Sequence, residues 1–410
     1  MRGILLASLL AGCANQATEQ GAKLIRSTDR FERASFSDLP GWETAQPLPA
    51  LLAFVRGCHA IPRNRERWLG ACNAALAIRN PDNAAAKAFF ERWLVPWKVK
   101  TNDGGPGHFT GYYEAEMNGS RKRSRKYRYP VFGIPKNGPR RIARKAIDAC
   151  VDDWPLPGVR REGRPLKKFI RWGRRRIDVC AVIRKWPVLV WVDSRVDLFI
   201  TEIQGSARVK FEDGTTTRVG YGGQNGHRYK AIGKVLIDED AIPREKMSMQ
   251  AIRLWLVENP RDADRIMHTN PSYIFFKDRT RDKANSGPRG AMGIPLTPLG
   301  SIAVDRRYIP LGTPLWIDTT WPEEIEKQRR KKLEEARRKK GIKNWRIRGP
   351  IPTRPLRKLM VAQDVGGAIR GPVRGDTYWG TGAEAFNYAG HMNQKGYWWA
   401  LFPKGHVPGS

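Results

Sequence analysis

After residue 20 the chain has no stretch approaching the roughly 18 consecutive apolar residues of a spanning helix, which excludes a bundle of membrane-crossing helices. Histidine is scarce: the 6 residues are scattered, and the 5 cysteines never form a Cys-x-x-Cys pair. Without metal-ligand spacing of either kind, no zinc site is expected. Acidic residues are short too, with 40 Asp+Glu against 74 Lys+Arg and a formal charge of +34. An excess of that size predicts polyanionic surroundings, whether nucleic acid, acidic lipid headgroups or acidic cell-wall polymer. What remains is ordinary globular composition, 40% hydrophobic and 28% charged, so wholesale disorder is not expected. The length of 410 residues suits two or three domains, and 40 Gly and 29 Pro favour sheets and loops over an all-helical bundle.

The N-terminus places the chain. Arg2 is followed by the apolar run Ile4 to Ala11 and then by Leu10-Ala11-Gly12-Cys13. Charge, apolar run and small residues before a Cys, in that order, resemble a bacterial lipoprotein signal, with Cys13 as the lipidated first residue of the mature chain. Residues 14–44 read as a polar tether. Ala14, rather than Asp, follows the Cys, which in the general lipoprotein pattern points to the periplasmic face of the outer membrane. That compartment is oxidising, and away from Cys13 four cysteines remain: Cys58, Cys72, Cys150 and Cys180. They allow two disulfides in three connectivities; proximity in sequence favours Cys58–Cys72 and Cys150–Cys180, while four free thiols remain the alternative.

Residues 47–98 read as helices separated by Pro62 and Pro81, with Trp68, Phe89, Phe90 and Trp93 toward the core. From Phe109 the texture changes to short β-rich runs. These are Phe109 to Glu114, Val188 to Trp191, Asp197 to Gln204, Ala207 to Phe211 and Thr216 to Tyr221, with Asp213-Gly214 as a hairpin signal. A helix is expected over Ser248 to Asn259, then strands at Tyr273 to Phe276, Gly300 to Asp305, Thr313 to Asp318 and Leu359 to Gln363. Strands in this arrangement suggest a closed barrel rather than a βαβ array. Two stretches hold most of the excess charge: 22 Lys+Arg against 5 Asp+Glu over 121–185, and 12 against 5 over 323–348. The second reads as one exposed helix, with a capping-box pattern at Thr320 to Glu323, favourable i,i+4 pairs and Gly341 as a stop. It is either a solvated surface helix or a basic arm for a polyanion or partner. Nucleic-acid binding is not expected, because no helix-turn-helix, zinc-finger or RNP-type motif accompanies the charge.

Three aspartates sit in distinctive surroundings: Asp305 in Ala303-Val304-Asp305-Arg306-Arg307-Tyr308, Asp364 in Ala362-Gln363-Asp364-Val365-Gly366-Gly367, and Asp376 in Gly375-Asp376-Thr377-Tyr378-Trp379-Gly380. One such Asp is commonly a turn residue bonding its own backbone; three together are harder to explain that way. With them stand Phe109-Thr110-Gly111-Tyr112-Tyr113-Glu114, Ile203-Gln204-Gly205-Ser206, Gly226-His227-Arg228-Tyr229 and Asn270-Pro271-Ser272-Tyr273. Together these segments resemble the membrane-bound lytic murein transglycosylase A family and its C-terminal three-aspartate domain. The resemblance extends from about residue 45 to 403.

The resemblance implies a mainly β protein with N-terminal helices: a double-psi β-barrel domain (45–115 and 218–405) with a second, smaller inserted β-domain (116–217). The basic helical segment 321–349 would be a further insertion. The implied activity is non-hydrolytic cleavage of the β-1,4 bond between N-acetylmuramic acid and N-acetylglucosamine, leaving a 1,6-anhydro ring. By similarity Asp376 is the catalytic residue, Asp364 and Asp305 are supporting carboxylates, and Thr110, Tyr112, Gln204, Ser206 and Tyr378 are sugar contacts. His227 is expected to be structural. One carboxylate suffices for such chemistry, because the substrate supplies its own nucleophile; glycosidases that use water need two. No metal or organic cofactor is needed, and the expected partners are peptidoglycan strands and, through the lipid, the outer membrane. The sequence names no protein partner from the cell-wall synthesis or division machinery. A non-catalytic, expansin-like wall binder is the alternative, since such proteins also use this barrel. The chain departs from the family at Ala115, where Pro is frequent, and at Ala207, where Gly is common. The basic helix stands where a shorter connection is expected.

Overall fold

The computed structural model describes residues 28–60, 65–134, 173–179, 186–282, 286–340 and 354–408. The lipidation residue Cys13, the tether up to residue 27 and the pair Cys150–Cys180 lie outside them.

After strand β1 (Phe31–Arg33) come three helices, α1 (Leu48–Gly57), α2 (Arg65–Ala77) and α3 (Asn83–Trp93). The Asp82 carboxylate accepts from the Ala85 N–H at 2.7 Å and starts α3. Phe54, Trp68, Phe89 and Phe90 bury their rings against one another with centroids 5.0–6.3 Å apart, while Trp93 is only partly buried. The disulfide Cys58–Cys72 joins the end of α1 to α2.

Strands β2 (Leu94–Val99) and β3 (Gly107–Ser120) follow, then β4 (Tyr129–Phe132), the short helix α4 (Arg174–Val179) and β5 (Val188–Val192). The next helix, α5 (Arg195–Gln204), overturns the strand expected over Asp197 to Gln204. The Ser194 hydroxyl accepts from the Asp197 N–H, and Gly205 ends the helix at φ 85°. Two caps outweigh a β-branched local pattern. Strands β6 (Ser206–Phe211) and β7 (Thr216–Gln224) form the hairpin signalled by Asp213-Gly214. Three helices follow, α6 (Ile232–Asp238), α7 (Met249–Glu258) and α8 (Pro260–His268), and then β8 (Ile274–Asp278). Helix α7 lies within the expected Ser248 to Asn259, and the Ser248 hydroxyl caps it by accepting from the Ala251 N–H.

The remaining elements are β9 (Ser301–Val304), β10 (Pro314–Thr320), α9 (Glu323–Lys339), β11 (Pro355–Asp364), β12 (Arg374–Thr381), α10 (Gly382–His391) and β13 (Asn393–Pro403). Helix α9 is the expected basic helix, but its capping box does not form: Pro322 is the N-cap and no side chain caps it. Glu326 is buried and pairs with Arg329 and Arg354, which anchors the first turn, whereas residues 335–340 are all exposed.

The strands form a mixed sheet whose pairings return on themselves: β3–β12–β9–β11–β10–β13–β3 is a closed circuit, parallel at β3/β12 and β9/β11 and antiparallel elsewhere. Its interior holds Phe109, Ile302, Trp398 and their neighbours, all fully buried. Strand β3 is long enough to serve twice. Its first half pairs with β12 and β13, and its second half, from Ala115, pairs with β6 and β5 in a smaller sheet that continues through β7 to β8. Among the described residues, no helix is long and apolar enough to cross a membrane.

The Cys58–Cys72 bond closes a loop with a sequence separation of 14. Removing it as Cys58→Ser/Cys72→Ser lowers unfolding stability by about 3 kcal/mol on loop-closure entropy. Denaturant titration of the oxidised protein against the double variant measures the difference, and equal midpoints would refute it.

Candidate active site

Strands β3 and β12 run parallel in a register that sets Asp376 beside Thr110 and Tyr378 beside Tyr112. All four side chains fall on one face. Gly111 permits this pairing: a Cβ there would meet Trp379 Nε1 at 2.5 Å and the α10 backbone at Ala389. The opposite face of β3 is core, where Tyr113 packs on Phe386 at 5.2 Å. The adjacent tyrosines therefore divide, Tyr112 to the site and Tyr113 to the interior.

Asp376 is half-buried. Its Oδ1 accepts the Thr110 hydroxyl at 2.5 Å, and Thr110 Oγ1 in turn accepts from Arg374 Nη2 at 2.9 Å. Arg374 is fixed further by the carbonyls of Gly375 at 2.6 Å and His108 at 3.5 Å. Burial pushes the Asp376 carboxyl above its ordinary range; the Arg374 charge and the Thr110 hydroxyl pull back without cancelling it.

Asp364, at the end of β11, stands across from it through Tyr112. The Tyr112 hydroxyl donates to Asp364 Oδ2 at 3.0 Å, and its ring lies 5.3 Å from Tyr378. Asp364 Oδ1 accepts two backbone N–H groups, from Ala291 and Val365, each at 2.9 Å. Burial still dominates and, with the Asp376 charge, pushes the Asp364 carboxyl up to about 6. Tyr378 is 1% exposed, so it supports the Tyr112 ring from below.

Asp305 is different. It is 1% exposed, and its oxygens are taken up by Arg307, with Nη2 at 2.6 Å and Nε at 2.9 Å, and by the Gly371 N–H at 2.9 Å. Burial raises this carboxyl, but the Arg307 and backbone donors outweigh it and hold it below the ordinary range. Asp305 therefore ties the turn after β9 to the loop before β12 and stays ionised. Gln204 and Ser206 lie where β3 passes from one sheet to the other: Gln204 Oε1 accepts the Tyr113 N–H at 3.0 Å, and Ser206 opens β6 opposite Gly220. Neither bonds to Asp376 or Asp364. His227 is buried in the smaller unit, and burial lowers its imidazole pKa.

Two features escape the sequence reading. One is Arg374: its position two residues before Asp376, on the same strand face, is the signal that places it beside the carboxylate. Glu114, fully buried, sits between Arg208 at 3.0 Å and Arg218 at 2.6 Å, with the Thr381 hydroxyl at 2.8 Å. This network joins β3, β6, β7 and the end of β12, where Gly380 at φ 113° breaks the pairing register. No group of His, Cys, Asp and Glu among the described residues has the arrangement of a metal site.

Because a donor to a carboxylate lowers its pKa, Tyr112→Phe moves the Asp364 titration upward from about 6. Carbon-detected NMR of the side-chain carboxyls reads this directly, and an unchanged or lower value would contradict the bond.

A family model described as the MltA specific insert domain matches residues 108–277, and one described as the 3D domain matches residues 300–402. Membrane-bound lytic murein transglycosylase A of Escherichia coli (strain K12) is 32% identical over 308 residues, covering 74% of this chain and 68% of that protein. The crystal structure of MltA from Neisseria gonorrhoeae in its monoclinic form superposes with a TM-score of 0.70 at 30% identity, covering 92% of this chain and 94% of that one. E. coli MltA solved with bound chitohexaose superposes at 0.64 with 26% identity, covering 94% and 97%. Matched across both its insert and its three-aspartate region, the chain belongs to the membrane-bound lytic murein transglycosylase A family.

Proposed function

We propose that this chain, a peptidoglycan lytic transglycosylase by family, uses Asp376 as its single catalytic carboxylate. The observation that carries this is the environment of Asp376, a carboxyl raised by burial and positioned by one hydroxyl. A general acid must hold its proton at working pH, and burial serves that purpose. In the first step Asp376 protonates the glycosidic oxygen as its bond to C1 of N-acetylmuramic acid breaks. In the second, the Asp376 carboxylate takes the proton of the C6 hydroxyl as O6 bonds to C1, closing the 1,6-anhydro ring. The proton returns to Asp376 and no water is consumed.

Asp364 supports the site by holding the Tyr112 hydroxyl, and Asp305 supports it by fixing the loop that leads into β12. Thr110, Tyr112, Gln204 and Ser206 offer the glycan hydroxyl, aromatic and amide contacts along β3 and its crossing point. Tyr378 backs the Tyr112 ring. The closed circuit of strands is consistent with a double-psi β-barrel (45–115 and 218–405); the smaller sheet takes in the proposed inserted domain (116–217) and continues through β7 and β8. Peptidoglycan strands are the substrate; the chitohexaose bound by the E. coli relative supports a groove for β-1,4-linked amino sugars. Lipidation at Cys13 would hold the enzyme at the periplasmic face of the outer membrane, in keeping with the membrane-bound relatives. The basic stretch 321–349 is proposed as an arm for a polyanion or partner.

Asp376→Asn removes the transferable proton and lowers kcat by about 10²–10⁴-fold, with the fold and sacculus binding retained. Near-parental turnover by the folded variant would overturn the assignment.

A further inference from the structure

The three-residue chain Arg374–Thr110–Asp376 contains more information than proximity. A guanidinium can only donate, and a threonine hydroxyl has a single proton. Arg374 Nη2 donates to Thr110 Oγ1 at 2.9 Å, so the Thr110 proton is left for its other partner, Asp376 Oδ1 at 2.5 Å. In a protonated carboxyl the carbonyl oxygen is the better acceptor for that proton, which leaves the acid's own proton on the other oxygen. We infer that Thr110, held by Arg374, is a positioning residue that confines the transferable proton of Asp376 to Oδ2. This rests on Asp376 being the catalytic acid.

The consequence runs through the whole cycle. Oδ2 gives its proton to the glycosidic oxygen as the C1–O bond breaks, and the same Oδ2 takes the C6 hydroxyl proton as O6 joins C1. Between the two steps the charge on Asp376 strengthens the Thr110 bond, because hydrogen bonds to an ionised acceptor are the stronger ones. Thr110 and Arg374 thus favour the carboxylate intermediate, offsetting part of the burial that favours the acid. One set of residues keeps the carboxyl from becoming too weak an acid to release its proton.

The other groups around Asp376 do not substitute for this bond. Asp364 is already bound by Ala291, Val365 and Tyr112, and the Asp376 charge opposes its ionisation. Tyr112 gives its hydroxyl proton to Asp364. Tyr378 packs as a ring beside Tyr112. His108, on β3, is bonded to Asn393 at 2.6 Å, and burial, Arg374 and Lys395 lower its pKa. Asp305 is occupied by Arg307 and Gly371.

The test is the pH dependence of kcat/KM on purified sacculi for the parent, Thr110→Val, Thr110→Ser, Arg374→Gln and Asp376→Asn, each checked for folding by thermal melting. Losing the donor raises the pKa of Asp376. The alkaline limb, where the acid loses its proton, should therefore move up by about one pH unit in Thr110→Val, the worth of one hydrogen bond to a charged group. Arg374→Gln should move it the same way, and Thr110→Ser should restore the parental limb. A lower rate with an unmoved limb in both Thr110→Val and Arg374→Gln would make Thr110 a sugar contact only and overturn the inference, as would failure of Thr110→Ser to rescue. If Thr110→Val does not fold, Arg374→Gln and Thr110→Ser decide. An inactive Asp376→Asn beside unmoved limbs condemns the inference alone; an active Asp376→Asn condemns the acid assignment and the inference with it.

Discussion

The site depends on the parallel pairing of β3 with β12. That register sets Thr110 beside Asp376 and Tyr112 beside Tyr378, and a slip of one residue in either strand would turn that strand's pair to the opposite face. The pairing is held from both sides. Gly111 lets β3 settle against Trp379 and α10, and β13 closes on β3 so that Thr110 also lies opposite Asn393. Beyond Tyr113 the same strand enters the smaller sheet, and the buried Glu114 is clamped there by Arg208, Arg218 and Thr381. Removing one partner of such a buried cluster typically costs about 3–5 kcal/mol. Two sheets are therefore oriented by one strand, and the proposed acid sits next to the point where they meet.

Electrostatics separates the three aspartates into different roles. All feel burial, which favours the neutral form. Asp305 has a guanidinium and two backbone donors, enough to keep it ionised. Asp364 has two N–H donors and a phenol, which leave it at about 6. Asp376 has one hydroxyl and the charge of Arg374, and it stays raised. The number and charge of donors thus grade the carboxylates, with the least satisfied one placed where a proton donor is needed.

Much of this was legible in the sequence because it was local. The aromatic face of the N-terminal helices, the Asp213-Gly214 hairpin and the helix within Ser248 to Asn259 depend on neighbours a few residues away. The Cys58–Cys72 bond is the pairing that short separation in sequence favours. Asp197 to Gln204 misled because a run of β-branched and apolar residues outweighed two cap signals at Ser194 and Gly205. Thr320 to Glu323 misled in the other direction: Pro322 took the cap position. Arg374 and the Glu114 network were illegible for a different reason. Their partners lie 94 to 267 positions away; strand alternation gives the face a side chain shares, but not which distant residues meet it there. The smaller sheet continues through β7 and β8, where strand pairing carries it beyond residue 217.

The charge of +34 has one local expression in α9, which stands on its buried Glu326 and presents Lys331, Lys332, Arg337, Arg338 and Lys339 to solvent. An anionic wall polymer is attracted to such a surface whatever the chemistry, so binding to sacculi does not identify the reaction. The fate of the C1 carbon does. Digestion of purified sacculi in ¹⁸O-labelled water, followed by mass spectrometry of the released fragments, should give 1,6-anhydro ends without ¹⁸O. Reducing ends carrying ¹⁸O would mean that water, rather than the substrate's own C6 hydroxyl, attacks, and would contradict a single-carboxylate lytic mechanism.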